Sequence, residues 1–351
     1  MPELTVTFDA PDLSAAVRDD FQAMASACHY ALAANAREAG LPARTELILT
    51  ADFAKTVRAQ LRPNPSEEPE PFFEVERLGG GRVVAKTMRR DPAYDDAVVV
   101  FDASHWLGHV ERSGPEKLFE ASTIAHELAH TVFERLALAS RATHGVIYPS
   151  RMPGEIARSL SRNLNHEYRA DWLADVIVQA MFSTDREGQR VPLHIWDATA
   201  QAYIDGLQDS LFEAYAEGPG MVQEYRQGWI DLETMFHRVV TITQGVLTNW
   251  VHARSLADCI ETASVPLLDD PVIAQLPFTR LYLTDTLTPF LEAFRSGSLF
   301  MTAPEWKELD ARVVASGELA IREIWRRLGL AFEEPPVRGE YRINVTEPLV
   351  A

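Results

Sequence analysis

The sequence predicts an α+β protein in which a small sheet near the N-terminus is followed by a long run of helices. Segments of alternating hydrophobicity are concentrated in the first hundred residues. From Glu116 onward, apolar residues recur at spacings of three and four. The best single boundary lies near residue 190, which gives one domain over residues 1–190 and an all-helical domain over residues 191–351.

The first hundred residues contain the predicted strands, each marked by alternation or by a short run of β-branched residues. They are Leu4–Phe8, Thr45–Thr50, Ala97–Phe101 and a hairpin of Phe72–Arg77 with Val83–Met88. Helices are predicted over residues 13–38 and 51–61. Ala97–Phe101 is the most strand-like segment of the chain. It could pair with an extended peptide by edge addition, but burial of the strand explains its apolar residues equally well.

The rest of the chain is predicted to be helical almost to its end. A capping box at Ser113–Glu116 opens the first long helix, which extends to about Ala139. Further helices are predicted over residues 155–182, 192–217, 221–256, 281–294 and 304–328. Gly218-Pro219-Gly220 is expected to separate two of them, because both residue types disfavour a helix interior. The tail from Glu333 to Ala351 is predicted to be irregular, although Tyr341–Val345 resembles a short strand.

Composition restricts the classes of function. The 351 residues include 33 basic and 51 acidic side chains, a formal charge of −18, which argues against nucleic acid as a partner. The two cysteines, Cys28 and Cys259, make no disulfide framework, as is typical of a reducing compartment. Neither a signal peptide nor a run of about 20 apolar residues is evident. The sequence therefore predicts a soluble, cytoplasmic protein without a membrane partner.

The strongest motif is His126-Glu127-Leu128-Ala129-His130, an HExxH sequence within the helix that begins near Glu116. A spacing of four residues places His126 and His130 on one helix face, where both rings can reach one ion. Glu127 is displaced sideways and can act on a water beside that ion. The motif therefore predicts a catalytic zinc site with Glu127 as general base.

A catalytic zinc ion usually has three protein ligands and one open position. Phe133 and Leu136 stand where an extended HExxH motif would have a glycine and a third histidine, so the third ligand comes from elsewhere. The next predicted helix contains Glu167 and Asp171 at i and i+4. Glu167 can be the carboxylate ligand and Asp171 can accept the free N–H of a ligating histidine. His166 is a rival ligand.

The two motifs together, HExxH and Glu167-x-x-Ala170-Asp171, resemble those of the gluzincin metallopeptidases. The sequence is most similar to the cytosolic ImmA/IrrE-like endopeptidases, with the Lit-type phage-exclusion peptidases as a weaker match. The resemblance covers roughly residues 95–182. It implies a zincin-like catalytic domain with a small sheet, in which His126, His130 and Glu167 hold zinc. It also implies Glu127 as general base and Asp171 as the acceptor of a hydrogen bond from a ligating histidine.

The predicted reaction is hydrolysis of a peptide bond in a specific cytosolic protein or peptide. His144, Tyr148 and Arg151, between the two ligand helices, are candidates for stabilising the oxyanion or contacting substrate. Five other histidines lack ligand-like spacing and are predicted to be structural: His105, His109, His194, His237 and His252. The alternative hypothesis is a zincin fold that binds or regulates without turnover, although the presence of Glu127 argues against it.

Overall fold

The structure, a computed structural model, describes residues 2–35, 40–61, 84–106, 114–140, 152–186, 188–260, 271–333 and 342–349. It has the predicted α+β class, with a small mixed sheet and a majority of helix. The four strands of the main sheet are β1 (Glu3–Asp9), β2 (Arg44–Thr50), β3 (Ala85–Arg89) and β4 (Asp96–Asp102). Their order is β1-β2-β4-β3, with β1, β2 and β4 parallel and β3 antiparallel to β4.

Both faces of the sheet are covered by helices. α1 (Ala15–Asn35) and α3 (Gly114–Ala139) pack on the face that carries Val99 and Phe101. α2 (Phe53–Leu61) packs on the other face, where Val98 and Val100 are buried. Burial on two sides explains why β4 is continuously apolar and not alternating.

The prediction that Ala97–Phe101 offers an edge to a peptide is wrong. These residues form most of β4, which is hydrogen-bonded to β2 on one side and to β3 on the other. All five side chains are fully buried. Among the described strands, β1 and β3 are the two edges of this sheet, and β3 is the edge next to β4.

A long antiparallel pair of helices follows the sheet. α4 (Pro153–Met181) packs against α3. A short hairpin of β5 (Ser183–Arg186) and β6 (Gln189–Pro192) follows α4 in the chain. The predicted limits of both helices are confirmed to within about two residues.

The second half contains α5 (Ile195–Arg226), α6 (Leu232–Asp258), α7 (Pro271–Gln275), α8 (Thr288–Arg295) and α9 (Ala303–Arg327). A single π-helical turn, Thr279–Leu283, precedes α8, and β7 (Leu330–Glu333) pairs with β8 (Arg342–Val345). The prediction that this tail is irregular is therefore wrong at Arg342–Val345, which form a strand. Within the part of the chain that the structure describes, no helix is long and apolar enough to cross a membrane.

The predicted helix break at Gly218-Pro219-Gly220 is wrong, because α5 runs through all three residues. Gly218 is buried against the second half of the core, and a methyl group at this position would lie 3.3 Å from Leu328. Tertiary packing therefore outweighs the local cost of proline and glycine in a helix. The chain turns later, after Arg226, and Asp231 then caps α6 by accepting the N–H of Thr234.

The hydrophobic core is continuous across residue 190, the predicted domain boundary, from Ala10 to Leu330. α4 packs against both α6 and α9. The buried Arg169 of α4 donates hydrogen bonds to the carbonyls of Phe294, Gly297 and Ser298 at the end of α8. The second half therefore holds α4 in place, while the division into domains of residues 1–190 and 191–351 stays a prediction.

The contact between α4 and α9 requires a glycine at position 317. A Cβ atom added there would overlap the hydroxyl of Ser161 and lie 2.6 Å from the ring of Phe290. We expect Gly317→Ala to lower the free energy of unfolding by about 1–3 kcal/mol in urea denaturation.

Gly206→Ala is the matched control, because a Cβ atom at this position of α5 meets nothing within 4 Å. It should raise the free energy of unfolding by about 0.4–1 kcal/mol. Equal losses in the two variants would show that the α4–α9 contact is not the cause.

Candidate metal centre

The site lies between α3 and α4, about midway along both helices. α3 carries His126, Glu127 and His130. α4 carries Glu167 and Asp171, one turn apart on the face that also contains the fully buried Ala170 and Ala174. Because alanine side chains are small, this face can approach a neighbouring helix closely.

Three side-chain atoms converge at the centre of the site. The Nε2 atoms of His126 and His130 are 3.0 Å apart. Oε2 of Glu167 is 3.2 Å from Nε2 of His126 and 3.5 Å from Nε2 of His130. A tetrahedral ion with bonds of about 2.0–2.1 Å separates its ligand atoms by about 3.3 Å. The three atoms therefore fit one face of a zinc tetrahedron.

Asp171 orients the first of these ligands. Its Oδ1 atom is 2.8 Å from Nδ1 of His126. Because an ionised carboxylate can only accept hydrogen bonds, Nδ1 carries a proton, and Nε2 is the nitrogen left to bind an ion. Asp171 is itself fixed by Ser255 of α6, whose hydroxyl donates a hydrogen bond of 2.6 Å to Oδ2.

The electrostatics of the centre favour a cation. Burial by itself raises the pKa of Glu167, but attraction and hydrogen bonds from His130 and His126 outweigh it and hold that pKa well below its usual value. Burial tends to lower the pKa of His126, yet Asp171 and Glu167 raise it well above the usual histidine value. The metal-free site is thus held together by anionic carboxylates and a proton that a metal ion would replace.

Glu127 follows His126 in the chain, and its side chain is held by the sheet. The hydroxyl of Thr87, on β3, is 2.6 Å from Oε2 of Glu127 and 2.8 Å from its main-chain oxygen. A distance of 2.6 Å is typical of a strong hydrogen bond to a charged oxygen. The predicted general base is therefore anchored to the strand at the end of the described sheet.

The structure also distinguishes Glu167 from its rival. Nδ1 of His166 is 3.3 Å from Oε1 of Glu134, and its ring packs edge-on against Trp306 of α9 at 5.3 Å. His166 therefore points along the helix pair, one turn from the centre. The three candidates for oxyanion or substrate contact, His144, Tyr148 and Arg151, lie outside the described residues and stay predictions.

Sequence reasoning missed His252. This residue of α6 was predicted to be structural, yet its Nδ1 is 2.9 Å from Oδ2 of Asp171 and its Nε2 is 3.7 Å from Oε2 of Glu167. The ligand atoms of His126, Glu167 and His252 all lie within 4.8 Å of one another. No signal near position 252 could have revealed this, since it lies 81 residues from Asp171 and belongs to no spaced motif.

Asp171 should make metal-free stability dependent on pH. Burial raises the pKa of Asp171, but His252 and His126 outweigh it and lower the pKa from 3.8 to about 2. Ionised Asp171 then stabilises the fold above pH 4, and this contribution is lost as the pH falls through about 2. We expect chelator-treated Asp171→Asn to be roughly 2 kcal/mol less stable than wild type at pH 6.

The difference between wild type and Asp171→Asn should shrink as the pH falls from 4 toward 2, because asparagine resembles the neutral acid. Urea denaturation at a series of pH values measures it, with the exposed Asp205→Asn on α5 as control. A difference that is constant across this range would contradict the assignment.

Comparison of the chain with protein-family models, with curated proteins and with solved structures found no match in any of the three. What the site does is therefore argued from the geometry and chemistry of its own residues.

Proposed function

We propose that the protein is a zinc-dependent endopeptidase of zincin-like fold that acts in the cytoplasm on a specific protein or peptide. One observation carries the proposal: two imidazole nitrogens and a carboxylate oxygen lie 3.0–3.5 Å apart on the HExxH helix and its neighbour, and the Glu127 carboxylate of the same motif is held by a hydrogen bond from Thr87. Zinc binding would explain why His126, His130 and Glu167 are present. It would not explain the presence of Glu127, which a purely structural zinc site does not need.

The groups around the centre divide the work of hydrolysis. Zinc supplies, when bound, a Lewis acid that makes water more acidic and polarises a carbonyl group. Glu127 accepts a proton from the attacking water and returns it to the nitrogen of the leaving amine. Thr87 keeps Oε2 of Glu127 in place during both transfers, and Asp171 keeps the ring of His126 in the orientation that ligation requires.

The edge of β3 supports a peptide as the substrate. β3 is antiparallel to β4 and, among the described strands, has no neighbour on its other side. An extended peptide could add there through main-chain hydrogen bonds. Because Thr87 lies in β3 and touches Glu127, such a peptide would be placed beside the general base. The position of β3 therefore replaces Ala97–Phe101 as the expected site of edge addition.

Metal content tests the three ligands. We expect about one zinc per chain in the wild type by elemental analysis, with most of it lost in His130→Ala and Glu167→Ala. Glu127→Gln should keep its zinc, because Glu127 is not among the converging atoms. Full zinc content in Glu167→Ala would remove Glu167 from the ligand set.

Cleavage tests the reaction. The zinc-loaded protein should cut members of a peptide library derived from a cytosolic proteome, with the new N-termini identified by mass spectrometry. Glu127→Gln should lose this cleavage, whereas Glu134→Gln, on the same helix two turns further on, should retain it. Equal cleavage by wild type and Glu127→Gln would contradict the proposal and favour a protein that binds without turnover.

Thr87 allows a finer test of the general base. Thr87→Val removes the hydroxyl but keeps the shape, so we expect unchanged zinc content and about a tenfold lower kcat on a peptide from that library. Thr87→Ser keeps the hydroxyl and should restore most of the rate. A loss shared by both variants would indicate a packing effect on β3 and not the hydrogen bond to Glu127.

A further inference from the structure

His252 faces the same point as the predicted zinc ligands but comes from a different part of the chain. Its side chain is 13% exposed, and α6 packs against α4, the helix of Glu167 and Asp171. Its ring lies 5.6 Å from that of His126, centre to centre. The Nε2 atom of His252 is therefore brought to the centre by a helix of the second half.

Asp171 accepts a hydrogen bond from His252 in the same way as it does from His126. One carboxylate oxygen is 2.8 Å from Nδ1 of His126, and the other is 2.9 Å from Nδ1 of His252. Ser255 donates to the second oxygen as well. Since the carboxylate accepts all three hydrogen bonds, both Nδ1 atoms carry protons, and in each ring Nε2 is the nitrogen left to bind an ion. This is the arrangement of a metal-ligating histidine supported by a carboxylate.

The distances allow His252 to share an ion with the other ligands. Its Nε2 lies 3.7 Å from Oε2 of Glu167, only slightly longer than the 3.5 Å between His130 and Glu167. The corresponding atoms of His126, Glu167 and His252 are all within 4.8 Å of one another. A small inward shift of the ring would bring these separations to the roughly 3.3 Å expected around a tetrahedral zinc ion.

We propose that His252 is a fourth, displaceable protein ligand of the ion held by His126, His130 and Glu167. This inference rests on the metal-binding part of the proposed function and adds regulation to it. Four protein ligands fill a tetrahedral site, as in structural zinc sites. The resting centre is then closed, and a carbonyl or water reaches the ion only when His252 withdraws. α6 thereby controls access to a centre built on α3 and α4.

X-ray absorption at the zinc edge counts the imidazole ligands directly in the full-length, zinc-loaded protein. We expect three imidazoles and one carboxylate in the wild type, and two imidazoles in His252→Gln. Competition with a chelator should show at least tenfold weaker zinc binding in His252→Gln. His194→Gln is the matched control, because His194 also bonds an α4 carboxylate, Asp175 at 2.8 Å, but lies outside the centre. It should change neither measurement.

Access to the ion provides a second readout. Acetohydroxamate, a small chelator of open zinc sites, is titrated into the cobalt-substituted protein while the visible spectrum is recorded. The wild type should bind it at least tenfold more weakly than His252→Ala, in which the closing ligand is gone. Two imidazoles in the wild type, or equal acetohydroxamate binding by the two proteins, would overturn the proposal even if a substituted chain failed to fold.

The outcomes separate this inference from the proposed function. Three imidazoles in a wild type that cleaves no peptide would support His252 as a ligand and overturn the peptidase. Two imidazoles in a wild type that cleaves peptides would do the reverse. A wild type that binds no zinc would overturn both.

Discussion

The hydrogen bonds of Asp171 join the three helices on which the site depends. Its two oxygens accept from His126 of α3 and from His252 and Ser255 of α6, while the residue itself belongs to α4. A buried carboxylate is costly unless its lone pairs are satisfied, and here three donors satisfy them. The same bonds that stabilise the charge fix the orientation of both imidazole rings. Removal of this carboxylate would therefore disturb the packing of the helices and the geometry of the site together.

The second half of the chain takes part in building the site. Arg169, between Glu167 and Asp171 in sequence, is buried and donates to carbonyls at the end of α8. On the opposite flank of α4, α6 supplies Ser255 and His252. The face of α4 that carries the carboxylates is thus held from both sides by helices beyond residue 190. The helical half of the chain therefore positions α4, a role that composition alone does not suggest.

The sheet also contributes to the site. Thr87 donates a hydrogen bond to Glu127, so the predicted general base is bound to β3, the edge strand next to β4. The predicted ligands are attached to the helices. Proton transfer and metal binding are therefore assigned to groups fixed by different parts of the core. If His252 withdraws as proposed, the hydrogen bond from Thr87 keeps Glu127 in place, so the site opens without displacing the proposed general base.

The local sequence pattern determined most of the helices and strands, and the part of the site that lies on α3 and α4. Periodicity located β1, β2, β4, α3 and α4, and the fixed geometry of a helix was enough to place His126 with His130 and Glu167 with Asp171. Tertiary structure decided the rest. Continuation of α5 through Pro219 depends on burial of its neighbours, the central place of β4 depends on strand order, and the approach of His252 and Thr87 depends on packing between distant segments. Spacing within one helix is set by the backbone, whereas contacts between helices and strands are set by how their apolar faces pack, which no single segment encodes.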